Sequence, residues 1–326
     1  MKVSVLMATF NGTAFLQQQL ESILEGERLP DELIIVDDRS TDGTLELAQR
    51  TCLKYPSVHT VILQNEQNTG PSRTFMRAVA NSTGDLLFFA DQDDVWSSEK
   101  IKSFVGLFGE QEDLLMAYSD GTIVNADMDA TGRTIFSTRN KAHLDQGGDR
   151  SPLEIVANPD IKGCTMALNG SFARRLFDKS DPASVEYWGH DHWAALFAYG
   201  LGTVAVINAP LIKHRIHGGN ASAGMRFNPF NAAHRRDYLK KARAQGSTYY
   251  VGRYESAITH TLLSEREFSR PLLDALHTLR SISERRRDLR TLPLPRRFCA
   301  AWKLKQEGVY TRFYNGFYTL LRDTFL

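Results

Sequence analysis

Cysteine is scarce in this chain. Cys52, Cys164 and Cys299 stand too far apart, and too irregularly, for a disulfide framework or a zinc-ligand set. They are expected to be reduced thiols of a cytoplasmic protein. Long apolar runs are missing too. No window approaches the ~18 uninterrupted apolar residues of a spanning helix, so no such helix is expected. The opening MKVSVLMATFNG turns polar at Asn11-Gly12 and reads as a first β-strand rather than a secretory leader. There is no internal repeat and no long low-complexity tract. After the first strand, residues 8–20 (ATFNGTAFLQQQL) contain no glycine-rich phosphate loop carrying Arg and Lys, which a sugar nucleotidyltransferase would need.

What is present is an ordinary globular balance over 326 residues, 42% hydrophobic and 24% charged, enough for a sizeable core. The net charge of +1 conceals an asymmetry. Residues 226–326 carry 20 Lys+Arg against 9 Asp+Glu, whereas the rest carries 19 against 29. A carboxylate-rich front and a basic back suggest two jobs, the second involving an anionic partner.

Along the front, strand and helix signals alternate. Val3–Ala8, Glu32–Val36, Val58–Leu63 and Leu86–Ala90 are short apolar runs. Phe15–Leu24, a segment from Leu45 and the stretch from Pro71 to Ala80 have helical spacing, with Pro tolerated in a first turn. This order implies a parallel sheet flanked by helices, an α/β fold. In such sheets ligands bind beyond the carboxyl ends of the strands. Three polar clusters fall there: Thr9–Asn11, Asp37-Asp38 and Asp91-Gln92-Asp93-Asp94. Ser98–Phe108 reads as a helix, Leu114–Tyr118 as a strand, and 125–150 as a loop near an acceptor. Gly163–Leu168 and Thr203–Ile207 read as strands, Ser171–Phe177 and His190–Tyr199 as helices. Beyond residue 226, Arg-rich helices dominate, broken at Pro271 and Pro293-Leu294-Pro295.

Three carboxylates packed after Leu86–Ala90 repel one another unless solvated or neutralised by a cation. Hard oxygen ligands suit Mg²⁺ or Mn²⁺, which also bind substrate phosphates. Asp94, followed by two serines and a helix, reads equally as a helix cap. Asp37-Asp38 could accept a hydrogen bond from a uracil or thymine ring N–H, or cap the next helix. A receiver domain also places an acidic pair after a strand. It needs a further Asp at the end of the third strand, where Gln64-Asn65 stand.

Ala8-Thr9-Phe10-Asn11-Gly12, Ile35-Val36-Asp37-Asp38-Arg39-Ser40-Thr41-Asp42-Gly43-Thr44, Asn68-Thr69-Gly70 and Asp91-Gln92-Asp93-Asp94-Val95-Trp96 together resemble the ordered motifs of family 2 glycosyltransferases. The resemblance covers roughly residues 1–222. Its Asp-Gln-Asp-Asp-Val-Trp form is most like that of bacterial rhamnosyltransferases of O-antigen and other surface polysaccharides. It implies the GT-A (Rossmann-like) fold, a mostly parallel sheet flanked by helices, and inversion at the sugar carbon. It places Thr9, Asn11 and Asp38 on the base and ribose side, and Asp91 and Gln92 at the nucleotide-sugar. Asp93, then Asp91, become the metal ligands for Mn²⁺ or Mg²⁺. Arg73 approaches the pyrophosphate or simply lies on a solvated helix face. Asp191, in Trp188-Gly189-His190-Asp191-His192-Trp193, matches the family's general base. Asn169, His190 and Trp193 fall on the acceptor side. Lys213-His214-Arg215-Ile216-His217-Gly218-Gly219-Asn220 resembles the family's closing Tyr-Arg-x-His-Gly-x-Asn segment. His214 stands at its aromatic position, and His217 becomes a metal ligand, a phosphate donor or a structural residue.

These features imply a catalytic domain over 1–225, with a nucleotide-sugar half to about 96 and an acceptor half beyond it. A basic, mainly helical extension follows over 226–326. The expected reaction is metal-dependent inverting transfer of L-rhamnose from dTDP-L-rhamnose to a glycan or lipid-linked oligosaccharide, with a UDP-sugar as the alternative donor. A non-catalytic carbohydrate-binding or assembly protein is the rival of another class. Arg285-Arg286-Arg287, Arg290 and Arg296-Arg297, then the aromatic stretch Phe313–Leu321, suit either an anionic membrane surface or a helical cover. The expected location is the cytoplasm, peripheral on the inner membrane's cytoplasmic face. Nucleic acid is not an expected partner, and a homo-oligomer is allowed.

Overall fold

The computed structural model describes residues 1–138, 151–157, 161–218, 247–262 and 267–309. The apolar runs form the centre of one sheet. β1 (Val3–Thr9), β2 (Glu32–Asp37), β3 (His59–Gln64) and β4 (Leu86–Asp91) are parallel neighbours in the order β3-β2-β1-β4. β2 is buried along its whole length, and β4 up to its last residue. Such strands need apolar side chains on both faces, which is why they read as unbroken runs rather than alternating ones. On one face Val3, Val5 and Met7 pack with Leu16, Leu20 and Ile23 of α1 (Leu16–Leu24). On the other, Phe89 meets Phe75 with ring centroids 5.3 Å apart. α2 (Thr44–Cys52) follows β2, and Phe75 belongs to α3 (Pro71–Ala80), which has Pro71 in its first turn.

The chain passes from β1 outward to β2 and β3, then returns to β4 on the opposite side of β1. That reversal opens a crevice between the carboxyl ends of β1 and β4. The register sets four rim residues side by side: Thr9 pairs with Asp37 and Ala8 with Asp91.

The sheet continues with mixed strands in the order β4-β8-β6-β9-β5. These are β5 (Val95–Trp96), β6 (Leu114–Val124), β8 (Met166–Asn169) and β9 (Thr203–Arg215), with β7 (Ala130–Thr134) paired to β6. β8 runs antiparallel to both neighbours, and β5 antiparallel to β9. The helices here are α4 (Lys100–Glu110), α5 (Ile135–Thr138), α7 (Gly170–Lys179), α8 (Pro182–Trp188) and α9 (His190–Leu201). α6 (Pro152–Ala157) belongs to a different unit, described below.

Several expectations are corrected. The stretch from residue 125, expected as a loop, includes β7 and α5; its part from 139 to 150 lies outside the described residues. The strand expected over Gly163–Leu168 opens with a short 3-10 turn, Gly163–Thr165. β9 runs eight residues past Ile207, because pairing with β6 and then β5 holds it extended.

The chain forms two compact units. Among the described residues, 1–138 and 161–218 make the first. The second holds α6 together with α10 (Ser247–Thr261), α11 (Arg270–Asp288) and α12 (Leu294–Gln306). Described residues 151–157 thus group with the second unit, within the span expected as the catalytic domain. α11 and α12 each begin with a proline in the first turn, so the prolines read as breaks are helix starts. No described helix is long and apolar enough to cross a membrane. The Phe313–Leu321 stretch lies outside the described residues.

Candidate functional site

Beyond the carboxyl ends of β1 and β4 lies a cleft of ≈ 420 Å³. Its lining includes Ala8, Thr9, Phe10, Asp38, Asn68, Gly70, Asp91, Gln92, Asp93, Lys162, His190, Asp191 and His214.

The end of β2 forms the first wall. Asp37 is consumed locally: its carboxylate accepts from the Thr9 hydroxyl, the Ser40 backbone and hydroxyl, and the Gln64 amide. It is a turn-former. Asp38, 4% exposed, points onward. It accepts from Asn65 Nδ2 at 2.7 Å, the Thr69 and Gly70 backbone N–H groups at 2.8 Å each, and the Thr69 hydroxyl. Burial pushes its pKa up, but these donors more than offset that and hold it below the usual carboxylate range. The Asn68-Thr69-Gly70 motif therefore ionises and aims Asp38. Gly70, at φ 81, takes a conformation that favours glycine. Oδ2 of Asp38 accepts only from Gly70 among the described residues and retains capacity for a ring N–H. Phe10, 45% exposed, lines the cleft with it. An aromatic face with an ionised acceptor suits a pyrimidine carrying N–H.

The second wall is the acidic turn after β4. Gln92 exchanges two hydrogen bonds with the Phe10 backbone, both at 2.9 Å, tying this turn to the loop after β1. The Asp91 carboxylate accepts no hydrogen bond among the described residues. Burial, then the charges of Asp94 and Asp93, push its pKa up to about 7. Asp93 is pushed up by burial and by Asp94, while its Oδ2 lies 2.8 Å from His217 Nε2. Asp94 was expected as a possible cap of α4, but the N-cap position of that helix is Glu99, whose side chain makes no cap hydrogen bond. Asp94 is fully buried instead, with Oδ1 2.9 Å from His214 Nδ1 and accepting from Arg215 N at 3.0 Å; its Oδ2 has no hydrogen-bond partner among the described residues.

The return of β9 to this turn explains those contacts. Val95 pairs with Lys213, and the next residues reach back over the turn. Arg215 Nε donates to Asp93 O at 2.8 Å, its other nitrogens to Ala126 O and Gln18 Oε1, and its guanidinium lies 4.4 Å from the Phe15 ring centre. Arg215 is a clamp, not a ligand group. Beneath the turn, Lys100 is buried, its ammonium donating to Cys164 O and lying over Trp96. Burial pulls its pKa down to about 8.

The third wall is the start of α9. Asp191 Oδ2 accepts from Gly163 N at 3.2 Å, and Oδ1 from His192 N at 2.8 Å. Burial raises its pKa, but His192, His190 and those two N–H groups outweigh it and keep the carboxylate ionised. His190 stacks against Phe75, with centroids 4.2 Å apart, and burial pushes its pKa down.

The cleft thus brings together Thr9, Asp38, Asp91, Gln92, Asp93, His190 and Asp191, and sets His217 against Asp93. Four expected residues are elsewhere. Asn11 holds the next loop, its Oδ1 accepting from Thr41 N. Arg73 pairs with Glu186 on an exposed surface rather than lining the cleft. Asn169 caps α7 by accepting from Phe172 N, and pairs with Leu86 at the amino end of β4, the wrong end of the strand for a site beside Asp91. Trp193 is fully buried, its Nε1 donating to Ser180 Oγ and its ring against Trp188 and Phe197. Lys162 and His214 line the cleft without having been expected as site residues, and Phe10, a member of the first motif, joins them there. Of the two unexpected residues, only His214 carried a signal, its place in a motif position otherwise aromatic.

The donor chemistry fits a divalent cation. Asp91 and Asp93 are hard oxygen donors held near one another without compensating hydrogen bonds between them, and a His nitrogen adjoins Asp93. Asp94, Cys164 and His214 form another group whose ligand atoms lie within 4.8 Å of each other. There burial pushes the Cys164 thiol well up, away from the thiolate that binds a cation, whereas Asp91 and Asp93 line the cleft, so Asp91, Asp93 and His217 fit better.

Residues 4–148 match the family described as glycosyl transferase family 2. The dTDP-rhamnosyl transferase RfbG of Shigella flexneri is 34% identical over 102 residues, 30% of this chain and 35% of that protein, so the match spans about a third of that relative's length. The solved structure of S. aureus TarS 1–349 with UDP superposes at TM-score 0.57 and 15% identity, covering 88% of this chain and 72% of that one. A mannosyltransferase of Pyrobaculum calidifontis, solved with GDP-Man and Mn²⁺, gives 0.56 at 17% identity, covering 99% and 84%. These structures share the GT-A fold with this chain.

Proposed function

We propose that the chain, whose residues 4–148 match glycosyl transferase family 2 and whose fold is GT-A, transfers a sugar from a nucleotide donor to a glycan hydroxyl, with inversion, in surface polysaccharide synthesis. The observation that carries this reading is one cleft lined by an ionised Asp38, the neighbouring carboxylates Asp91 and Asp93, and an ionised Asp191.

In this reading Asp38 accepts the pyrimidine N–H, and Phe10 covers the ring. Asp191 takes the proton from the acceptor hydroxyl as its oxygen attacks the anomeric carbon; such help is typically worth ~10²–10⁴-fold. Mn²⁺ or Mg²⁺, held by Asp93 and Asp91 with His217 adjoining, would offset charge accumulating on the departing diphosphate. Gln92 and Arg215 keep the acidic turn in place through the Phe10 backbone and the Asp93 carbonyl.

The donor we favour is dTDP-L-rhamnose, supported by similarity to the Shigella protein; inversion of its β-anomer would give an α-L-rhamnoside. A UDP-sugar is the second reading, supported by 28% identity over 125 residues to the Staphylococcus aureus poly(ribitol-phosphate) β-N-acetylglucosaminyltransferase TarS. Uracil and thymine present the same N–H to Asp38. A lipid-linked acceptor would place the protein at the cytoplasmic face of a membrane. In the second unit, exposed Leu294, Phe298 and Trp302 recur every fourth residue along α12, with Arg296, Lys303 and Lys305 nearby, which supports that placement.

The test is donor turnover. Purified protein with Mn²⁺ and dTDP-L-rhamnose or a UDP-sugar should release nucleoside diphosphate, and Asp191→Asn should stop transfer while still binding donor. Release from no donor under any metal condition would favour a non-catalytic carbohydrate-binding protein.

A further inference from the structure

The lining carboxylates Asp38, Asp91, Asp93 and Asp191 give the cleft a strongly negative character, yet its proposed ligand is a diphosphate. One divalent cation does not balance that. The expected helper, Arg73, is paired with Glu186 and does not line the cleft. The basic side chains that do are Lys162, His190 and His214. His190 packs against Phe75 and Phe89, and burial pushes its pKa down.

His214 is differently placed. Its Nδ1 is taken by Asp94, a fully buried carboxylate that also accepts from Arg215 N. That bond fixes the ring and leaves Nε2 as the nitrogen available to a ligand; no hydrogen bond to Nε2 forms among the described residues. Lys162 is close enough for its charge to act on His214. The closing segment's resemblance places an aromatic residue at 214, so His214 departs from that pattern.

We propose that Lys162 and His214 form a phosphoryl-binding pair that holds the diphosphate of the donor, with Asp94 as the positioning residue for His214. This rests on the nucleotide-sugar reading above and adds the groups that recognise the diphosphate. Both would contact ligand directly, Lys162 as a compact charge and His214 through Nε2–H in its protonated form. Asp94 would act only through His214.

Calorimetric titration of the full chain with Mn²⁺ tests this, comparing dTDP or UDP, the matching monophosphate and the nucleoside. Lys162→Met and His214→Phe should each weaken diphosphate binding roughly tenfold, as expected for loss of a charge-assisted contact, and leave nucleoside affinity unchanged. Asp94→Asn should weaken diphosphate binding in the parent but add little in a His214→Phe background. Nucleoside affinity reports whether each variant remains folded. Parent-like diphosphate affinity in both single variants would overturn the proposal, as would equal loss for all three ligands or additive loss in the double variant. If the parent protein binds none of the ligands, the nucleotide-sugar reading itself fails; if it binds them and the variants do too, only the pair fails.

Discussion

Two carboxylates, Glu32 buried and Asp91 half-buried, sit at opposite ends of the same sheet and behave in opposite ways. Glu32, at the amino end of β2, accepts from the Ser4 hydroxyl and from the Thr83 backbone and hydroxyl, with the Lys2 ammonium 3.3 Å away. Burial raises its pKa, but those donors outweigh it and bring it down to about 2. Asp91, at the carboxyl end of β4, has no such donors and is pushed up to about 7. The amino end is a finished structure in which each oxygen has its partner. The carboxyl end is held in an unfavourable charge state that only a proton or a cation relieves. A satisfied buried carboxylate builds a fold, whereas an unsatisfied one reserves a place for a ligand.

The sharpest way to break this contrast is at the carboxyl end. Asp191→Asn should lower kcat by roughly 10²–10⁴-fold with donor affinity retained, measured by product formation beside calorimetric binding. Near-normal turnover would remove Asp191 from the base role.

At the amino end, Glu32→Gln should cost about 3 kcal/mol near pH 7 and leave chemistry intact. The sign follows from a folded pKa below the unfolded value of 4.5. The stabilisation is complete above that value and is lost as pH falls toward 2. Denaturant unfolding of parent and variant should therefore converge in acid; a constant gap across pH would contradict the linkage.

Asp91→Asn should do the reverse. A raised folded pKa means that its favourable contribution is present below the unfolded value and lost as pH rises through about 7. Metal-free protein at pH 8 should gain on the order of 1–3 kcal/mol from this substitution while losing activity. Loss of stability instead would show that Asp91 is bonded in a way that the account omits.

The smallest effect sharpens the comparison. Asn169→Ala, beside the start of β4, should cost ~1 kcal/mol through the lost cap of α7 and leave kcat and KM unchanged. A selective rise in acceptor KM would restore Asn169 to the acceptor side.

The two ends also differ in how far the sequence foretold them. Strands buried on both faces must be apolar runs, so β1, β2 and β4 were legible, and with them the rim where Thr9, Asp38 and Asp91 stand. Asp93 beside His217 followed from ordered motifs. The rest depends on contacts between residues far apart in sequence. Nothing local says that Asp94 will meet His214 rather than cap α4, or that Arg73 will find Glu186. Trp193 and His190 share one helix start, yet packing buries the first in the core and gives the second the cleft. Asn169 ends a short strand, and only its antiparallel pairing with Leu86 shows which end of the sheet it occupies.

The central claim is that the carboxyl rim reserves a cation-dependent nucleotide site. The most direct measurement is calorimetric titration of dTDP and UDP into the parent protein and Asp93→Ala, each with and without Mn²⁺. The account predicts tight binding to the parent that requires Mn²⁺ and is lost in Asp93→Ala. Equal binding with and without the metal, or unchanged metal-dependent binding in Asp93→Ala, would contradict it.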